Sequence, residues 1–282
     1  MPFYLDNFHG GLGNQLFSII TVYSLAKKYN TTFSVNETVS HLNGFNNRFL
    51  VPIYIDTVFR ELLKTSKQID STTNASTIYI EMKQFIECII PTDIDPTSTL
   101  IIIKGLPMKY SLFNEYLEDI KDILYKEKER YSITILKNPI VRKIGIMFRT
   151  FISENVREWM TNHAYYTNAI QYLLAQYTCN YTFEFHIFTD NAGVSENIIK
   201  PIIDTLNLTV VLKEYVGIRD NKTDVEHFFT MFDLDDYILC NSTYHYWPAL
   251  LSRYTDDKIV TYPGDTGSGW FDNIVSPDWV KL

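Results

Sequence analysis

From residue 143 onward, short apolar runs and helical stretches alternate five times with brief connections, and this alternation restricts the fold more than any other feature of the chain. Runs at 143–148, 183–188, 208–212, 237–240 and 258–262 read as strands. Stretches at 155–177, 195–206, 224–234 and 243–254 carry helical spacing. Parallel strands need a connection of helix length, so the pattern predicts a doubly wound parallel sheet. Two prolines qualify it. Pro201 requires a kink or a break, and Pro248 is expected near the first turn of its helix.

The first half is less regular. Residues 3–5 form an apolar run that Gly10, Gly11 and Gly13 break. Helical spacing follows through Leu16, Ile19, Ile20 and Tyr23 and ends at Lys27 and Lys28, which suit the negative end of a helix dipole. Strands are expected at 32–35, 77–80 and 100–103, and helices at 58–67 and 114–129. A length of 282 residues fits two domains, with the boundary near 137–142: residues 1–138 and 139–282.

Hydrophobic residues make up 46% and charged residues 21%, enough to bury a core without disulfide or metal. The formal net charge of −8 and the lack of a basic cluster argue against nucleic acid as a partner. Cys88, Cys179 and Cys240 are scattered and have no metal-ligand spacing, which fits a reducing compartment. No leader pattern or run of about 18 apolar residues is visible. The expectation is a cytoplasmic chain without a transmembrane segment, in a host's cytoplasm if its source is a virus.

The run HGGLGNQLF, His9 to Phe17, is the most informative stretch. Glycines permit a positive-φ turn and close approach of a ligand to the main chain. The helix that follows points unpaired N–H groups at whatever lies above the turn, and a diphosphate suits that position. Asn14 can donate its amide to a phosphate or sugar oxygen, and Gln15 can pack beneath as a cap. A tight turn with no ligand satisfies the same glycines. The run is neither GxGxxG nor a P-loop.

GGLGNQLF resembles the N-terminal signature of the α-1,2-fucosyltransferases, glycosyltransferase family 11. Further segments fall in that family's order. Gly145 to Ile152 stands where the family has a strand ending in HxRRGD. Arg149 matches the first arginine, while Met147, Thr150 and Ile152 replace the histidine, the second arginine and the aspartate. Tyr165-Tyr166 with Ala169-Ile170 is similar to a YY-x-x-AI helix start, and Phe188-Thr189-Asp190-Asn191 to an FSDD turn. Residues 238–249, ILCNSTYHYWPA, resemble IIANSTFSWWGA, and Lys258-Ile259-Val260 with Pro263 resembles a closing KIV-x-x-P. Residues 30–135 match only weakly.

The resemblance implies an α/β fold of GT-B type, two facing Rossmann-like doubly wound domains, with the glycine-rich loop on the acceptor side and the second domain holding a nucleotide-sugar donor. It implies an inverting hexosyltransferase like the galactoside 2-α-L-fucosyltransferases, moving L-fucose from GDP-fucose to a hydroxyl of an acceptor glycan. No cofactor and no metal is implied. Asp233-Leu234-Asp235 spells DxD, but it precedes a strand and reads as a solvated turn.

In this reading Arg149 is catalytic. A guanidinium at a strand end can hold a β-phosphate and stabilise the leaving diphosphate. Substrate contacts fall to Gly11, Gly13, Asn14, Gln15, Asp190, Asn191, Asn241, Ser242 and Thr243. Asp190 and Asn191 serve equally well as a helix cap, and Asn241 to Thr243 as simple capping residues. Inversion needs a general base. Glu154 is taken for that role, with Glu158, Asp6 and His9 as other candidates. The lost partners of Arg149 leave open a weakened transferase, a changed donor, or a catalytically silent binding protein on the same scaffold. A nucleotide-sugar epimerase would want the GxGxxG turn that is missing here.

Overall fold

The computed structural model describes residues 2–8, 10–36, 41–43, 50–52, 54–66, 76–82, 99–149, 163–177, 181–217, 221–253, 257–264 and 271–282. The chain separates into two compact units, Met1–Tyr131 with Asp272–Ile274, and Ser132–Phe271 with Val275–Leu282. Both units are α/β with parallel sheets, the class expected from the alternation of elements. Among the described residues no helix is long and apolar enough to cross a membrane.

The first unit runs β1 (Phe3–Leu5), α1 (Leu12–Lys28), β2 (Phe33–Val35), β3 (His41–Asn43), β4 (Leu50–Pro52), α2 (Arg60–Leu63), β5 (Ser76–Met82), β6 (Thr99–Gly105) and α3 (Leu117–Glu129). Its main sheet has the order β2-β1-β6-β5, all parallel, and β3 and β4 form a separate antiparallel pair. Every residue of α1 from Leu16 to Ala26 is buried. A helix that is apolar nearly all round belongs in a core, and Phe3, Leu5, Phe33, Ile101, Ile103 and Phe113 are buried with it. The helix ends at Lys28, as the lysine pair predicts.

The second unit runs β7 (Val141–Phe148), α4 (His163–Ala175), β8 (Thr182–Thr189), a π-helical turn (Ser195–Ile199), α5 (Lys200–Thr205), β9 (Val210–Val216), α6 (Asn221–Thr230), β10 (Asp236–Ile238), α7 (Thr243–Leu251), β11 (Val260–Tyr262) and β12 (Val280–Lys281). All six strands are parallel in the order β9-β8-β7-β10-β11-β12. This is the 3-2-1-4-5-6 arrangement of dinucleotide-binding sheets, and the order reverses between β7 and β10. Helix α4 turns Tyr165, Tyr166, Ala169, Ile170 and Leu173 onto Ile144, Ile146, Phe148, Phe185 and Ile187 of the sheet. Gly145 sits in close packing: a Cβ there would lie 2.7 Å from both Leu234 Cδ1 and Met147 Cε, and those side-chain ends would have to shift.

Several expectations change. The helix expected at 195–206 is broken as Pro201 requires, into the π turn and α5. Pro248, expected in a first turn, instead lies inside α7. It removes one helical bond, and complete burial of Tyr246, Trp247, Ala249 and Leu251 around it offsets that loss. Of the helix expected at 155–177, residues 155–162 lie outside the described residues.

The DxD reading as a solvated turn is also overturned. Asp233 and Asp235 are buried. Asp233 Oδ2 accepts from the Ile135 N–H (2.8 Å) and Asp235 Oδ2 from the Lys143 N–H (2.8 Å). Asp235 fastens the start of β7, and Asp233 the segment before it, to the turn that leads into β10. Burial pushes the Asp235 carboxyl above its ordinary pKa.

Next to them lies the main polar anchor of the unit. Arg142 forms a two-pronged pair with Asp236, Nε to Oδ2 at 2.7 Å and Nη2 to Oδ1 at 3.0 Å, with side-chain exposures of 5% and 0%. Tyr177 Oη (2.9 Å) and the Ile259 N–H (2.8 Å) also donate to Asp236 Oδ1. The guanidinium lies 4.6 Å from the Tyr177 ring centroid and bonds Asp257 as well. Such a pair is stable only when its remaining hydrogen-bonding capacity is met. Replacing Arg142 by Ala strands the Asp236 charge. We expect a loss of about 3–5 kcal/mol, read from the urea midpoint.

Candidate functional site

Three residues singled out from sequence meet at the carboxyl edge of the second sheet. Arg149 follows the last residue of β7, Asp190 the last residue of β8, and Ser242 precedes α7. Arg149 Nη1 donates to Ser242 Oγ at 3.3 Å, and its Nε lies 3.9 Å from Asp190 Oδ2. The Arg149 side chain is 28% exposed, so the cation is partly sunk in the edge. The cluster spans the reversal point between β7 and β10, where open α/β sheets leave a crevice.

Ser242 has an extended backbone (φ −144°, ψ 122°) and makes no side-chain bond to the helix it caps. Its hydroxyl turns to Arg149 instead, so simple capping does not describe it. Thr243 is the first residue of α7, where helical N–H groups point outward. Asn241 is 6% exposed, and its Oδ1 has no hydrogen-bond partner among the described residues. Asn191 is exposed, and its main chain closes a small turn with Thr189 Oγ1. At the start of the following helix, Glu214 from β9 accepts from the Gly193 (3.2 Å) and Ser195 (2.9 Å) N–H groups.

A pair that sequence reasoning passed over lies next to the cluster. Cys240 Sγ is 3.2 Å from His245 Nδ1, and both side chains are buried. Burial, and secondarily the Arg149 cation, lowers the His245 pKa to about 3. Burial raises the Cys240 thiol to about 12, against a smaller opposing pull from Arg149. Thiol and imidazole are therefore both held uncharged, in hydrogen-bond contact with one another. The signal was present in the motif, since Cys240 and His245 stand where IIANSTFSWWGA has Ala and Ser.

In the first unit, Gly10 has φ +61°, the left-handed conformation a glycine adopts freely. Gly11 begins α1 in extended conformation, and a Cβ there would meet nothing within 4 Å. Gly13 is buried in α1, and Asn14 is half-buried one turn above Gly10. Gln15, counted among the substrate contacts, is wholly buried. Its Nε2 donates to the Gly10 carbonyl (2.9 Å) and its Oε1 accepts from the Tyr54 N–H (3.3 Å). Its amide is thus committed to main chain on both sides, which is the cap role. Asp6 pairs with Lys104 at 3.3 Å. Glu154, Glu158 and His9 lie outside the described residues.

Two outcomes follow from this geometry. Gln15→Ala removes the buried amide that bonds both the Gly10 carbonyl and the Tyr54 N–H and should lower stability by about 1–3 kcal/mol in chemical denaturation. His186, lowered to about 4 mainly by burial, behaves as His245 does. Both histidines titrate near 6.5 when unfolded, so below that pH the unfolded chain binds more protons than the folded one. Their stabilisation is complete above pH 6.5 and is lost as pH falls, at up to about 1.4 kcal/mol per pH unit for each. Urea midpoints measured from pH 7 to pH 5 should fall, and His245→Gln should flatten the slope.

No family model matches the chain, and no curated protein matches it either. Solved structures do. An Arabidopsis thaliana FUT1 variant in complex with GDP superposes with a TM-score of 0.52 at 12% identity, covering 94% of this chain and 71% of that one. The fucosyltransferase NodZ from Bradyrhizobium gives 0.41 at 13% identity, over 88% and 92%. The E. coli ADP-heptose LPS heptosyltransferase II gives 0.45 at 9% identity, over 100% and 90%. The first of these likenesses, together with the two parallel sheets, shows the fold: α/β of the GT-B type.

Proposed function

We propose that the chain is an inverting glycosyltransferase that uses a nucleoside-diphosphate sugar, with GDP-fucose as donor and a glycan hydroxyl as acceptor. The observation that carries this reading is the meeting of Arg149, Asp190 and Ser242 at the β7–β10 reversal point. A diphosphate placed there receives two kinds of positive charge, the Arg149 guanidinium and the N-terminal end of α7. Asp190 and Ser242 hold the guanidinium in place before the ligand arrives, so little reorganisation accompanies the reaction. GDP is also the ligand of the Arabidopsis FUT1 structure, the neighbour with which the fold is shared.

In the reaction, an acceptor oxygen bonds to the anomeric carbon from the face opposite the diphosphate. The bond from that carbon to the phosphate oxygen breaks with its electron pair, and the acceptor proton passes to a base. Glu154 is our candidate for that base. The growing negative charge on the diphosphate is what Arg149 stabilises. In this reading the second unit holds the donor.

A second reading is a nucleotide-sugar or glycan-binding protein with weak or no turnover. Met147 favours it: the side chain is wholly buried and reaches back over Gly145, so this position offers the crevice no hydrogen bond. Calorimetry with GDP and GDP-fucose, followed by an assay for sugar transfer, separates the two. Under the first reading Arg149→Ala weakens GDP binding by about 10-fold or more and lowers turnover by about 10²–10³. Unchanged GDP affinity in that variant would remove Arg149 from the site.

A further inference from the structure

The hydrogen-bond ladder between β7 and β10 ends with the pair Ile146 and Ile238. Beyond it the two chains go on to different tasks, β7 towards Arg149 and β10 towards Asn241 and Ser242. The next carbonyl on each side is taken by one of two successive tyrosines at the start of α4. Tyr166 Oη donates to the Met147 carbonyl at 2.8 Å, and Tyr165 Oη donates to the Leu239 carbonyl at 2.7 Å. Each carbonyl lies two residues ahead of a residue at the crevice, Met147 before Arg149 and Leu239 before Asn241. One helix turn thus bridges both banks of the reversal point.

The rings fit this position tightly. Tyr165 is 7% exposed and Tyr166 1%, the two rings meet edge to face at 5.2 Å, and Tyr166 stacks on Phe148 at 5.0 Å. Phenylalanine would supply the same packing. What only tyrosine supplies is the pair of hydroxyl donors, and burial raises both phenols so that they stay protonated across the working pH range.

We propose that Tyr165 and Tyr166 are positioning residues for the donor site: their hydroxyls tie the ends of β10 and β7 to one helix and thereby fix the spacing at which Arg149 and the start of α7 receive a diphosphate. This rests on the donor-binding reading above. A loss of either hydroxyl frees one bank, and its effect should appear in recognition of the phosphates rather than of the nucleoside.

The test uses the full chain with Tyr165→Phe and Tyr166→Phe made singly, so that either variant alone suffices if the other does not fold. Tyr177→Phe is the control, since that hydroxyl serves Asp236 at the opposite edge of the same sheet. Calorimetry gives affinities for GDP, GMP and guanosine, and thermal unfolding is followed in parallel. We expect each of the two variants to lose about tenfold in GDP affinity with guanosine little changed, so the preference for GDP over guanosine shrinks by the same factor. The control should lower the melting temperature and leave that preference intact. If the variants melt earlier but keep the wild-type preference, the tyrosines are core residues only and the inference is overturned while the donor reading stands. If the unaltered chain binds no GDP, both are overturned.

Discussion

Strand β7 carries an arginine near each end, and the second unit depends on the buried one. Arg142 ties β7 to β10 through Asp236, across the line where the sheet changes direction. Those two strands are far apart in sequence, and the ladder between them is only three residues long. A short parallel ladder is a weak clamp, so the desolvated ion pair, with Tyr177 and the Ile259 N–H completing the carboxylate, fixes its register. Everything at the other end of the strands inherits that register.

At the carboxyl edge the second arginine has a different setting. Arg149 is half-exposed, oriented by Asp190 and Ser242, and set beside a cysteine–histidine pair that burial keeps uncharged. Among the described residues, the field at this edge is set by the Arg149 cation next to a helix start, with the His245 imidazole held neutral by burial. Met147, two residues before Arg149, is wholly buried and belongs to the core.

The fold was largely legible because periodicity and crossover length are local properties. Pro201 was read correctly as a break, since a ring that clashes with the preceding turn does so in any context. Pro248 was misplaced because surrounding burial, which no local rule reports, lets it sit inside α7. The DxD run shows the same limit more sharply. Its charges suggest water, yet both carboxylates are buried because Ile135 and Lys143, about a hundred residues upstream, bring N–H groups to them. Gln15 was read both as a ligand contact and as a cap, and only the approach of Tyr54 separates the two.

By itself the sequence determined the element types, the parallel sheets, the glycine turn and the short set of polar residues at strand ends, because each depends on spacing along the chain and on local steric rules. Tertiary structure alone decided which arginine became a buried anchor and which a partly exposed cation, that Asp190 and Ser242 converge on the latter, and that Cys240 meets His245. Burial and partner distance set the charge state and availability of a polar group, and both come from chain segments that pass close in space while lying far apart in sequence.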